Sequence, residues 1–108
     1  MSTPAERATV FAPNEEISYV KNSIVSQQII KNKAGNITLF AFAEGQQLSE
    51  HSAPFDAVVQ VLDGTSEIHI AGEPHEVKAG EMIILPANIP HAVYATTAFK
   101  MLLTMIKG

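Results

Sequence analysis

The stretch 50–64, "EHSAPFDAVVQVLDG", decides how this chain is read. It opens on His51, passes Pro54 and Asp56, and then runs almost continuously apolar from Ala57 to Leu62 before an Asp-Gly turn. Six residues rich in valine, ending in a turn signal, are too short for a helix and suit a buried strand. A titratable ring at the mouth of such a segment is either a ligand or a satisfied polar group at the edge of a core.

The same grammar extends in both directions. Turn signals recur about every ten residues, at "KAGN" (33–36), "AEGQ" (43–46), "LDGT" (62–65), "AGEP" (71–74), "KAGE" (78–81) and "PANIP" (86–90). Between them lie "NITLFAFA" (36–43), "AVVQVL" (57–62), "SEIHIA" (66–71), "EMIILP" (81–86), "HAVYAT" (91–96) and "FKMLLTMI" (99–106), preceded by "IVSQQIIK" (24–31). Short, β-branched and aromatic segments between regular turns predict an all-β sandwich or barrel. "PNEEISY" (13–19) reads as one helical turn capped by Asn14. The whole chain, 1–108, reads as one domain, with an N-terminal arm over about 1–22 and a barrel over about 24–107.

Composition bounds the function. With 46% hydrophobic and 17% charged residues the chain is globular, and no apolar run approaches the roughly 18 residues of a membrane helix. The first 20 residues lack a basic start followed by an apolar stretch, so no signal peptide is expected and cytoplasmic residence is the default. Zero cysteines exclude disulfides, thiolate ligands and thiol nucleophiles. The formal charge is −4, and residues 44–81 carry eight acidic side chains against Lys78 alone, which opposes binding to a phosphate backbone. No G-x-S-x-G, P-loop or dinucleotide fingerprint occurs.

Several strands are apolar on both faces, notably 57–62, 81–86 and 99–106. One face fills a core and the other needs cover, which a chain with almost no helix obtains most simply from a second copy. A homodimer is therefore expected.

The spacing of six residues resembles the cupins. That superfamily carries G-x5-H-x-H-x3/4-E-x6-G and G-x5-P-x-G-x2-H-x3-N; Gly45, His51 and Gly64 match the first motif, and Gly80, Pro86 and His91 the second. The resemblance spans residues 45–95 and implies a cupin-type β-barrel, the double-stranded β-helix or jelly roll. It also implies a metal site inside the barrel, built in the family from the motif histidines and glutamate. This sequence departs there: Ala53 replaces the second histidine, Ala57 the glutamate, Asn88 the glycine of the second motif and Ala95 its final asparagine. Two imidazoles fall short of the three protein ligands usual at a catalytic metal, so no cofactor is firmly expected and any divalent transition metal on His51 and His91 would be weakly bound.

Three readings of the pair stand side by side. The histidines are polar groups satisfied at the barrel mouth; or a metal site is completed by Gln46, Glu50, Asp56 or Gln60; or His51 and His91 serve a metal-free small-molecule site as donors or proton shuttles, with Asp56 orienting a ring. A β-bulge near Pro54 would be needed to swing Asp56 inward. Inward positions beside the histidines, among them Val59, Val61 and Val93, are small or apolar and would line a pocket for an organic ligand. His69 is expected to share an outer face with Glu67, and His75 to be solvated. The function classes that follow are a small-molecule-binding cupin, a metal-dependent dioxygenase or isomerase, and a structural dimer.

Overall fold

The structure is a computed structural model and describes residues 6–107; the first five residues of the expected N-terminal arm lie outside them. A short helix α1 (Pro13–Glu16) precedes nine strands: β1 (Ile24–Asn32), β2 (Gly35–Phe42), β3 (Gln47–His51), β4 (Asp56–Asp63), β5 (Thr65–Ile70), β6 (Glu73–Lys78), β7 (Met82–Leu85), β8 (His91–Tyr94) and β9 (Phe99–Ile106). Strand makes up 57% of the described residues and helix 4%, so the expected all-β class holds. The strands form two antiparallel sheets in the orders β1-β2-β9-β4-β7 and β3-β8-β5-β6, a double-stranded β-helix. Among the described residues no helix is long and apolar enough to cross a membrane.

Alternation along the strands divides inner from outer residues. Phe42 lies opposite Phe99, Val61 opposite Met101 and Val59 opposite Leu103 on the five-stranded sheet; Ile68 lies opposite Val93 on the other. All belong to one core in which Phe42 and Phe99 stack with ring centroids 4.6 Å apart. Burying side chains of this size is the main favourable term in folding.

The outer face of the larger sheet is covered in part by the chain itself. Ile17 and Tyr19 pack over Leu39, Ala41, Leu62 and Leu102. Three polar contacts hold this strap down: the Tyr19 hydroxyl donates to Asp63 at 2.5 Å, Lys100 Nζ donates to the Asn14 carbonyl at 2.6 Å, and the Ala43 N–H donates to the Ser23 carbonyl at 3.0 Å. Burial and the neighbouring Asp63 carboxylate push the Tyr19 phenol above its ordinary range, so it stays a donor. The need for external cover is thus smaller than the strand pattern implies. What stays open is the side towards β7, where Met82, Ile84 and Ile106 are 60%, 59% and 53% exposed.

Two details differ from the sequence reading. The single helical turn lies within 13–19 as expected, but its N-cap is Ala12, with Pro13 at the first helical position and no side-chain cap; Asn14 lies within the turn. Strands β3 and β6 arise from polar stretches that carry no strand pattern.

Candidate functional site

His51 and His91 come from strands paired edge to edge, β3 and β8, and are cross-strand neighbours. Leu48 faces Val93, and His51 faces His91, so three steps on β3 match two on β8. This one-residue irregularity turns His51 to the side of the sheet that Leu48 occupies. A bulge does re-aim a side chain here, but it lies upstream of Pro54 and acts on His51 rather than on Asp56.

The two rings meet at 4.4 Å between centroids, edge to face, with Nε2 to Nε2 at 3.2 Å. Their protonation follows from the partners. His51 Nδ1 lies 2.9 Å from the Ser49 carbonyl, which only accepts, so this nitrogen carries the proton and the neutral ring presents a lone pair at Nε2. His91 Nε2–H therefore donates into that lone pair. His91 Nδ1 is then left buried with no hydrogen-bond partner among the described residues. Burial pushes the His91 pKa below the ordinary imidazole value, the neighbouring His51 pushes it the same way, and the Ile89 backbone opposes without completing a hydrogen bond.

This shift has a sign. Below the unfolded-state pKa of about 6.5 the unfolded chain takes up a proton that folded His91, 7% exposed, resists. The contribution of this site to stability is whole above that pH and declines as pH falls below it. Urea midpoints at successive pH values are expected to fall on the acid side of about 6.5, and to fall less in His91→Gln.

The other expected residues are distributed as follows. Asp56 does not reach the pair. Its Oδ1 accepts the Ala87 N–H at 2.8 Å, and beside it the Asn88 N–H donates to the Ala53 carbonyl at 2.7 Å. These two bonds tie the loop before His91 to the loop after His51, so Asp56 holds the carriers of the rings in place. Asn88, at the position of the motif glycine, has φ +66°, in the left-handed region that asparagine tolerates better than most residues. Ala57 is buried in the core, and Gln60 lies opposite Met82 and Leu102 on the outer side of its sheet. Val59, Val61 and Val93 face inward and are fully packed in the core. His69 shares its face with Glu67, as expected, and bonds to it at 2.6 Å. His75 is half-buried rather than solvated, because it pairs across β5–β6 with the core residue Ile68.

Among the described residues no group of three histidine, aspartate or glutamate side chains is placed to hold a metal ion. The donor set therefore does not fit a resident catalytic metal of three protein ligands.

The profile described as the cupin domain matches residues 38–107. The chain belongs to the cupin family. Among solved cupin-fold structures, a conserved protein of unknown function from Streptococcus pyogenes is 36% identical, with a TM-score of 0.92 over 99% of this chain and 94% of that one. A cupin 2 conserved barrel domain protein from Leptotrichia buccalis is 44% identical with a TM-score of 0.85; 87% of this cupin aligns with 46% of that longer chain. A salicylate 1,2-dioxygenase from Pseudoaminobacter salicylatoxidans shares the fold at 15% identity and a TM-score of 0.73, over 83% of this chain and 27% of that one. No curated protein matches this cupin.

Proposed function

We propose that this cupin binds a small polar molecule at the barrel mouth through His51 and His91, with the packed side chains of Val59, Val61 and Val93 beneath them. The observation that supports this most is the imidazole pair itself. Two ring nitrogens, Nε2 of the buried His91 and Nε2 of the exposed His51, stand 3.2 Å apart where the two strands meet at the barrel mouth. When His51 is protonated, both Nε2 atoms become donors 3.2 Å apart, and an oxygen acceptor of a ligand would satisfy the two together. Asp56 positions the pair by fixing its loops and takes no part in proton transfer.

One observation favours a second reading, a metal-dependent enzyme. Two nitrogens on one tetrahedral ion, each about 2.0–2.1 Å from it, stand about 3.4 Å apart, close to the spacing found. The histidine that bonds its far nitrogen to a carbonyl is also the arrangement that orients metal-binding imidazoles.

Elemental analysis of protein purified without an immobilised-metal column, joined to nitrogen NMR of the imidazoles, separates the two. The expected result is less than one ion per chain, together with imidazole shifts of His51 and His91 that move on titration with acetate, the simplest oxygen-acceptor probe. One tightly held ion per chain, lost in His51→Ala and His91→Ala, would replace the first reading by the second.

A further inference from the structure

The opposite face of the same sheet carries a groove that the imidazole pair does not use. Along β5, Ile68 points to the core, while Glu67 and His69 alternate with it and face outward; on β8, Tyr94 lies across from Glu67 and alternates with the inward Val93. These three side chains, with Gln46 and the 95–96 turn, line a groove of about 380 Å³, a size in the range of small-molecule sites.

The groove is built rather than incidental. Two backbone bonds, Gly45 N–H to the Ala95 carbonyl and Ala95 N–H to the Gln46 carbonyl, both 2.9 Å, fix its rim. Gly45, at φ +84°, makes the turn that brings Gln46 to that rim. On the floor the rings of His69 and Tyr94 lie 4.7 Å apart at 57°. Glu67 Oε1 accepts His69 Nε2–H at 2.6 Å, which places the lone pair of the neutral ring on Nδ1. The second Glu67 oxygen, His69 Nδ1 and the Tyr94 hydroxyl take no protein hydrogen bond among the described residues, and the Glu67 and His69 side chains are open to solvent.

We infer that this groove is a second ligand site, selective for a planar organic cation bearing N–H donors, an amidinium or guanidinium. The chemistry selects that class on three counts. Glu67 brings a carboxylate to the groove and no lysine or arginine lines it, so a cation is favoured over an anion. Two acceptors on neighbouring outward positions, held by no other side chain among the described residues, suit a ligand that donates twice. The aromatic floor accepts a flat delocalised cation by stacking and cation–π attraction. The site stands independently of the mouth, because it lies on the other side of the sheet.

Benzamidine tests this on the full chain, with benzoate as the planar anion of the same shape. In amide NMR titrations to about 10 mM, benzamidine is expected to give saturable shifts centred on residues 45–46, 67–69 and 94–96, and benzoate none. Glu67→Gln and Tyr94→Leu are expected to weaken binding by about fivefold or more, Tyr94→Phe less than Tyr94→Leu, and His51→Ala to leave it unchanged. Absence of saturable shifts, equal response to benzoate, an undiminished affinity in Glu67→Gln, or shifts centred on residues 51 and 91 would each overturn it. Failure of the mouth site in the acetate titration leaves these outcomes untouched.

Discussion

Gly64→Ala is expected to lower the unfolding free energy by roughly 2–5 kcal/mol. Gly64 joins β4 to β5 at φ +74°, where an L-residue is strained. A Cβ there would sit 2.0 Å from the Ala98 carbonyl oxygen and 2.9 Å from both the Cα and Cβ of Phe99. These are backbone atoms and the base of a buried ring, so no flexible side chain can swing away. Since a small domain is held by only about 5–15 kcal/mol, the melting temperature should fall by at least about 10 °C. Thermal circular dichroism measures it. Gly45→Ala is the comparison: φ is +84° there too, but nothing lies within 4 Å of the new Cβ, so only the conformational cost of about 1–2 kcal/mol remains. Equal melting temperatures for the two variants would mean that the β4–β5 connection moves aside freely.

Phe99→Ala is expected to cost about 3–5 kcal/mol, the usual range for deleting a buried aromatic. The ring is 0% exposed and stacks on Phe42 at 4.6 Å and 21°, joining strands β2 and β9 through the core. Urea unfolding gives the difference directly, and a loss below about 1.5 kcal/mol would show that the core closes over the gap. The double variant is informative because the two sites touch. Phe99→Ala keeps the Cα, the Cβ and the Ala98 carbonyl that Gly64→Ala collides with, so the second change should not rescue the first, and the costs should add or exceed their sum.

The fold was legible where strands bury a face. Residues 36–43, 57–62, 66–71 and 99–106 show apolar alternation or apolar runs because both sheets press on one core. Strands β3 and β6 were not legible, for a physical reason: they are the two edges of the smaller sheet. "QLSEH" buries part of Leu48, and "EPHEVK" chiefly Val77; charges and a proline on the open side are what an edge strand tolerates. The meeting of His51 with His91 was legible from motif spacing, whereas its geometry depends on a bulge that parity cannot forecast. Asp56 was chosen as a carboxylate near a histidine. Its actual partner is a backbone N–H 31 residues away, and a backbone donor leaves no mark in side-chain pattern. The groove around Glu67, His69 and Tyr94 was hidden because its members are unremarkable one by one and gain meaning only when β8 lies beside β5.

Strand order has a consequence for how the molecule comes to exist. The last two strands in the chain are inserted between earlier ones, β8 between β3 and β5, and β9 between β2 and β4. Until they arrive, β1-β2, β4-β7 and β5-β6 are separate ribbons, and β3 has no partner. During translation the smaller sheet thus stays incomplete until β8 is made, and the larger one until β9. Such a chain assembles late, through distant contacts and therefore slowly, and passes through a stage in which unpaired valine-rich and isoleucine-rich strands are open to neighbouring nascent chains.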